Sequence, residues 1–278
     1  MTIKEITELL EQSNSLKQIA QSYSEIANQK IKRIRAEAER NRQFFQEISF
    51  VYGLIQSLAA KKKLTVLKPK KSVSIILTSN YRFYGRINDD LIKFFIKSIQ
   101  NTQTDMIILG KAAIEYFQTN RIKVMQQIFL KTDQPDTEEL SNLVGIIKDY
   151  NQANVYFSKL KSLLVQIPSV VDLNASANIE TSDKKIDFRF IFEPELLKIL
   201  QFFDSQILTL LLEETFLESE VSRTASRFIS MDQAETEANK FIGEYEKLKA
   251  YALRNIKNSQ ILESLAAVAA SRKKASYG

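Results

Sequence analysis

The sequence predicts a mixed α+β and α/β fold: a long antiparallel coiled coil of N- and C-terminal helices, with a Rossmann-like α/β domain inserted between them. Residues 1–52 contain no proline or glycine, and the span 195–277 contains only Gly243. Proline breaks helices and glycine weakens them, so both ends can be long helices. The four prolines all lie between these ends, at Pro69, Pro135, Pro168 and Pro194. We therefore assign the N-terminal helix to 1–60, the α/β domain to 72–193 and the C-terminal helix to 195–275.

The N-terminal helix carries a narrow apolar stripe, as expected for one strand of a coiled coil. At ~1.5 Å per residue the helix would be roughly 85 Å long, and it needs a partner to cover its stripe. Apolar residues recur at steps of three and four, at Ile3, Ile6, Leu10, Ile19, Tyr23, Ile26, Ile31, Ile34, Ala38, Phe45, Ile48, Tyr52 and Ile55.

A matching stripe on the C-terminal helix begins at Leu196 and Leu200 and continues through Ile256 to an alanine-rich end. The chain enters and leaves the α/β domain at nearby points, so the two helices should run antiparallel. We expect the acidic residues of this helix to form a solvated face rather than a catalytic pair; they are Glu213, Glu214, Glu218 and Glu220.

The middle of the chain alternates between apolar β-branched runs and helical segments, which predicts a largely parallel sheet. Strands are expected at 73–78, 106–109, 122–130, 155–167 and 185–192. Helices are expected from Asn88 or Asp89 to Ile99, from Lys111 to Gln118, and from Asp136 onward.

The composition disfavours an enzyme. Cysteine and histidine are absent, which excludes disulfides, thiolate metal sites and the commonest general base. Gly110 and Lys111 follow a strand, but Asp105 and Ala112 stand where a phosphate loop needs glycine and Ser or Thr. We expect no catalytic residues, no cofactor and no metal. No apolar run approaches ~20 residues, so we expect no membrane span, and the net charge of +6 favours acidic partners.

Several segments carry a family resemblance. The segment Thr78–Leu91 is similar to the pattern Thr-Ser-Asp-(Arg/Lys)-Gly-Leu-Cys-Gly-Gly-Leu-Asn, and we call it the signature segment. Thr78, Ser79, Gly85, Asn88 and Leu91 keep the pattern, whereas Asn80, Arg82, Tyr84 and Arg86 depart from it. One later match ends in Glu193-Pro194. Further matches on the C-terminal helix include Ser222, Ala225, Arg227, Met231, Arg254, Gln260 and Leu262. In order and spacing the chain resembles the gamma subunit of F-type rotary ATP synthases.

This resemblance implies a non-catalytic central rotor shaft that couples rotation to ATP synthesis or hydrolysis. The implied partners are the alpha and beta subunits of a hexameric ring, an epsilon-like subunit and a membrane rotor ring, without nucleic acid. The implied location is peripheral, at the cytoplasmic side of the membrane. Candidate ring contacts are Lys30, Arg33, Arg254, Asn255, Ser259 and Gln260. The resemblance also implies that the α/β domain is the foot of the shaft, and the residues that mark this foot domain are Thr78, Ser79, Gly85, Asn88, Glu193 and Pro194.

Two alternatives stay open. Arg82 and Arg86 replace glycines in the part that resembles the foot, so the chain could be the stalk of a similar motor repurposed for machinery without a proton ring. It could also be a coiled-coil scaffold unrelated to ATP. Co-purification with a hexameric ATPase, and with or without a proteolipid ring, separates these cases.

Overall fold

A computed structural model of the protein describes residues 1–61, 71–100, 102–176 and 195–275. Long helices stand at both ends of the chain with a sheet domain between them, which confirms the predicted fold class. The elements are α1 (Ile3–Lys61), β1 (Ser72–Leu77), α2 (Ile87–Ile99), β2 (Asp105–Leu109), α3 (Lys111–Thr119), β3 (Gln126–Ile128), α4 (Thr137–Ile147), β4 (Gln152–Ser162), β5 (Val165–Asp172), α5 (Leu173–Ser176) and α6 (Leu196–Ala275).

The described chain forms two compact units. One contains Met1–Glu25 with Ile229–Gly278, and the other contains Ile26–Phe228, including the whole sheet. The predicted division into segments 1–60, 72–193 and 195–275 stays a prediction. None of the helices in the described ranges is long and apolar enough to cross a membrane.

The sheet has the order β3-β2-β1-β4-β5. β1 runs parallel to β2 and β4, and β2 runs parallel to β3, whereas β4 and β5 are antiparallel. β1 is buried along nearly its whole length, as expected for a central parallel strand covered on both faces. Phe95 of α2 and Phe117 of α3 pack on one face. The other face packs against α4 and against parts of α1 and α6.

Two strand predictions change. The expected strand at 155–167 is a hairpin, in which β4 ends at Ser162 and β5 begins at Val165. Pro168 lies in β5, at the end of the strand order, where its missing N–H is tolerated. The expected strand at 122–130 is reduced to β3. The strand predicted at 185–192 lies outside the described residues.

Helix starts are also only partly as predicted. α4 begins with a capping box: the Asp136 carboxylate accepts from the Glu139 N–H at 2.8 Å, and Glu139 accepts from the Asp136 N–H at 2.9 Å. The predicted cap of α2 by Asn88 or Asp89 is wrong, because α2 begins at Ile87 and Arg86 occupies the N-cap position. Asn88 Nδ2 instead donates to Ser79 Oγ at 2.7 Å, within the signature segment.

Buried residues recur every seven positions along α1, at Ile6, Ser13, Ala20, Ala27, Ile34 and Asn41, and Ile31 is buried in addition. A strict seven-residue repeat is typical of a left-handed coiled coil. The predicted stripe was wrong at Ile19 and Ile26, which are 54% and 56% exposed. The prediction assigned large apolar side chains to the buried face, whereas the helix near Ile19 and Ile26 buries small side chains.

Contacts within each unit show that the terminal helices pair. In the sheet-containing unit, Asn41 Nδ2 donates to the Leu210 carbonyl oxygen at 3.2 Å. Further along the chain, the Tyr52 hydroxyl donates to Asp204. Partner numbers fall on α6 as they rise on α1, so the helices are antiparallel, as predicted. In the other unit, Gln21 Nε2 donates to Glu235 at 2.7 Å.

Candidate functional site

The signature segment leaves the carboxyl end of β1, at the edge where open α/β sheets bind ligands. Its first polar residues are used in internal bonds. Thr78 Oγ1 donates to the Leu109 carbonyl oxygen at 2.8 Å and accepts from the Ala113 N–H at 3.0 Å. The Ser79 N–H points to Asn88 Oδ1 at 3.4 Å. These residues join β1, β2, α2 and α3 at one edge of the sheet.

Gly110 makes this close approach possible. Its φ of +91° lies in the region that favours glycine, and a Cβ built there would lie 2.2 Å from the Thr78 carbonyl oxygen. The turn from β2 into α3 is as the sequence predicted. Gly110 therefore serves strand packing at a place where a nucleotide-binding sheet would cradle phosphate.

The helix α6 covers this edge of the sheet. Ser226 Oγ donates to the Tyr84 carbonyl oxygen at 2.8 Å, and Arg227 Nη2 donates to the Arg82 carbonyl oxygen at 3.0 Å. The Arg227 guanidinium also lies 4.0 Å from the centre of the Tyr84 ring, within the range of a cation–π contact. α6 thus takes the position that a ligand occupies in many sheets of this topology.

Four charged side chains meet where α1, α6 and the loop after β3 come together, and we call them the buried charge cluster: Lys30, Asp133, Glu220 and Arg223. Arg223 Nη2 donates to Glu220 Oε2 at 2.9 Å and to the Asp133 carbonyl oxygen at 3.2 Å. Lys30 forms an ion pair with the other oxygen of Glu220. The side chains of Glu220 and Arg223 are 0% and 2% exposed.

The carboxylate of Asp133 binds the signature segment. Its Oδ2 accepts from the Tyr84 hydroxyl at 2.7 Å, and its Oδ1 accepts from the Asn80 N–H at 2.6 Å. Asn80 Nδ2 also donates to the Leu130 carbonyl oxygen at 3.0 Å. The same carboxylate therefore binds the backbone of Asn80 and the side chain of Tyr84, and only the Tyr84 bond depends on a departure from the family pattern.

Electrostatics keep Glu220 and Arg223 ionised. Burial opposes the charged form of Glu220, but Arg223 and Lys30 outweigh it and lower the pKa of Glu220. Burial likewise opposes the charged form of Arg223, but Glu220 and Asp133 raise its pKa. The pKa of Tyr84 is raised by burial and then by Glu220 and Asp133, so its hydroxyl stays a donor.

The expected solvated acidic face of α6 is wrong for Glu220, which is buried. Burial also raises the pKa of Glu213, with a further contribution from Glu37, and burial raises the pKa of Glu218. Glu214 pairs with Arg42 of α1 at 2.8 Å. This stretch of α6 is enclosed by α1 and the sheet domain, which the helical spacing of its acids did not reveal.

The predicted ring contacts lie in different surroundings. Lys30 belongs to the buried charge cluster, whereas Arg33 is exposed on α1. The other candidates are exposed on α6, in the unit that contains Met1–Glu25 and Ile229–Gly278: Arg254, Asn255, Ser259 and Gln260. Glu193 and Pro194 lie outside the described residues. The roles assigned to these residues stay predictions.

Sequence reasoning missed the residues that dock α6 onto the sheet, namely Asp133, Glu220, Arg223 and the role of Tyr84 and Arg227. One signal was available. Glu220 and Arg223 are the only charged residues between 219 and 226, and small serine and threonine residues surround them. A helix with so few solvating side chains is expected to be enclosed on all sides. Among the described residues, no group of three or more acids could hold a metal ion.

These features define a class of protein: a chain whose terminal helices pair antiparallel and flank an α/β domain, with α6 bonded to the loop at the carboxyl end of β1. The family model described as ATP synthase matches residues 2–255. The chain therefore belongs to the ATP synthase gamma-chain family.

Curated relatives match along nearly their whole length. The gamma chain of Psychrobacter arcticus is 24% identical over 96% of this chain and 99% of the relative. The gamma chain of Staphylococcus saprophyticus is 21% identical over 87% of this chain and 89% of the relative.

Two solved structures share the fold. The mitochondrial ATP synthase rotor of Euglena gracilis aligns with a TM-score of 0.62 at 14% identity, covering 92% of this chain and 98% of that chain. The central stalk and c-ring structure of Tetrahymena thermophila mitochondrial ATP synthase contains a chain that aligns with a TM-score of 0.59 at 17% identity. That alignment covers 78% of this chain and 99% of the Tetrahymena chain.

Proposed function

We propose that this chain is the central rotor shaft of an F-type rotary ATPase or ATP synthase, and that it is itself non-catalytic. The observation that carries the proposal is the pairing of α1 with α6, together with the docking of α6 on the sheet domain through Arg223 and Arg227. A shaft must turn with its foot, and this docking ties the two together.

The surface of α6 suits sliding contact. Beyond Ala238 no residue with a described side chain is buried, up to residue 268. Exposed apolar side chains recur along this part of the helix, at Phe241, Leu248, Leu253, Ile256, Ile261, Leu262 and Leu265. Such a surface needs an apolar lining from other subunits, because large exposed apolar areas mark interaction sites.

An off-centre shaft can bias the sites around it. Only a difference in contact free energy shifts an equilibrium, so a shaft touching three sites equally would bias none. A difference of about 1.4 kcal/mol between sites gives a tenfold preference. Arg33 and Arg254 are our candidates for contacts with acidic loops of the ring, together with Asn255, Ser259 and Gln260. Lys30 is the weaker candidate, because its amine already binds Glu220.

The proposed partners are the alpha and beta subunits of a hexameric ATPase ring, an epsilon-like subunit and a membrane rotor ring. The solved neighbours support F1 and the membrane rotor ring as partners, since they are a rotor, an assembly of OSCP, F1 and c-ring, and a central stalk with a c-ring. We place the chain at the cytoplasmic side of the membrane, as a peripheral subunit.

The alternative is a stalk in a related motor that has no proton ring. Tyr84 supports it, since the hydroxyl of this departure from the family pattern binds Asp133 and gives the signature segment a contact of its own. Native mass measurement of the complex purified through this chain tests both. One copy of the chain with a hexameric ATPase and a proteolipid ring supports the synthase. A hexamer with other machinery supports the alternative, and a complex without an ATPase contradicts both.

A further inference from the structure

We infer that the buried charge cluster is the lock that transmits torque between the helix pair and the sheet domain. The inference rests on the proposed rotor function. The cluster joins the three parts that have to turn together: Lys30 lies on α1, Glu220 and Arg223 lie on α6, and Asp133 lies in the loop between β3 and α4. All four residues belong to the same compact unit.

The contacts beside the cluster resist separation more than sliding. Leu217 and Val221 of α6 form an apolar group with Ile34 of α1, and Leu160 of β4 packs against it. Hydrophobic attraction follows the area removed from water and has no preferred direction. A turning force could therefore shift these surfaces along each other with little loss of contact.

The cluster adds directional bonds to those that Ser226 and Arg227 of α6 make to the signature segment. Hydrogen bonds between charged groups depend steeply on distance and angle, and an Arg fork fixes orientation as well as distance. Arg223 bonds Glu220 through both Nε, at 3.2 Å, and Nη2, at 2.9 Å. The same Nη2 bonds the Asp133 backbone oxygen at 3.2 Å. Rotation of the sheet domain around α6 would break this last bond.

Asp133 is itself held from the sheet side. Both of its carboxylate oxygens accept bonds from the signature segment, from the Tyr84 hydroxyl and the Asn80 N–H. Its backbone oxygen faces Arg223 of α6. A continuous set of directional bonds thus runs from the loop after β1 through Asp133, Arg223 and Glu220 to Lys30.

Stability alone does not require these charges. Replacing a whole buried ion group by apolar side chains of similar volume is often neutral for folding, whereas removing one partner is damaging. A triple variant, Lys30→Met with Glu220→Met and Arg223→Met, removes the three side chains that pair with one another. It leaves the Asp133 carboxylate with its bonds from Tyr84 and Asn80, and so separates the mechanical role from the structural one.

The experiment uses the assembled complex. The chain has no cysteine, so one introduced as Lys97→Cys, at an exposed position of α2, can carry a bead that reports the angle of the sheet domain. With the motor stalled, we expect the triple variant to show at least a twofold larger angular variance than the parent. Its melting temperature should stay close to that of the parent. Equal variance in a folded triple variant overturns the inference.

Two further variants make the test robust. Lys131→Met removes the exposed ion pair with Asp136 and should leave the angular variance unchanged.

Should the triple variant fail to assemble, Arg223→Lys keeps the charge but loses the fork, and we expect a smaller increase in variance. A variance equal to that of the parent then overturns the inference. A parent complex that hydrolyses ATP while its bead stays still contradicts the rotor function instead.

Discussion

The Arg227 guanidinium lies 4.0 Å from the centre of the Tyr84 ring, so a residue of α6 covers the middle of the signature segment. The neighbouring Phe83 has a φ of +68°, which is unfavourable for a residue with a side chain. Bonds from Ser226 to Tyr84 and from Arg227 to Arg82 hold the backbone on both sides of Phe83. α6 therefore stabilises a conformation of this loop that the sequence of the loop itself disfavours.

Replacing Arg227 by Ala should weaken the docking of α6. The variant loses the cation–π contact and the bond to the Arg82 carbonyl oxygen, which together predict a loss of about 1–3 kcal/mol of unfolding free energy. Urea unfolding of the full chain, followed by tyrosine fluorescence, measures this loss. Lys93→Ala on the exposed side of α2 is the matched control and should change stability by less than about 0.5 kcal/mol. Equal values for the two variants would contradict the docking role.

Gly110→Ala should be among the most damaging small substitutions. The added Cβ would meet the Thr78 carbonyl oxygen at 2.2 Å, in a backbone conformation with positive φ. We expect a loss of about 3 kcal/mol or more. Gly145→Ala is the control, because nothing lies within 4 Å of its added Cβ inside α4, and it should stabilise the protein by about 0.5–1 kcal/mol. Thermal melts of both variants test the pair, and a tolerated Gly110→Ala would refute the close packing.

Glu213→Gln should stabilise the protein at pH 7. Burial and Glu37 raise the native pKa of Glu213. At pH 7 the Glu213 carboxylate is therefore destabilised in the folded state, whereas in the unfolded state the same charge is solvated by water. As the pH falls through the native pKa and then the unfolded value, the folded carboxyl becomes neutral and the penalty disappears. The melting temperature should rise by less than about 3 °C at pH 7, and the gain should vanish below about pH 4. A gain that grows with falling pH would contradict this account.

Arg33→Glu should slow the assembled motor. Arg33 is exposed and faces no carboxylate within ion-pair distance in the described part of the chain, so its charge is available to a partner. Reversing the charge should reduce ATP turnover and torque by roughly twofold to fivefold at low salt, with a smaller effect at high salt. Arg33→Gln should give an intermediate effect. Unchanged turnover and torque in Arg33→Glu would remove this residue from the ring contacts.

Local signals in the sequence predicted most of the fold. The absence of proline and glycine marked α1 and α6, the buried apolar runs marked β1 and β2, and Asp136 with Glu139 marked the start of α4. Each of these features depends on residues close together in the chain. The turn between β4 and β5 was missed because apolar Leu163 and Leu164 occupy it without glycine or proline.

The docking site depends on contacts that sequence spacing does not reveal. Arg223 and the Asp133 backbone oxygen are 90 positions apart, and neither Tyr84 nor Asp133 carries a local mark of burial. The coiled-coil register failed at Ile19 and Ile26 for a related reason. Which face of a helix is buried depends on its partner, and α1 buries Ala20 and Ala27.

The most direct test of the rotor account is rotation of the sheet domain in a complex whose ATPase ring is fixed to a surface. A bead attached through Lys97→Cys should turn continuously in one direction when ATP is added, and should stop when hydrolysis is inhibited. A ring that hydrolyses ATP at its normal rate while the bead only fluctuates about one angle would contradict the account.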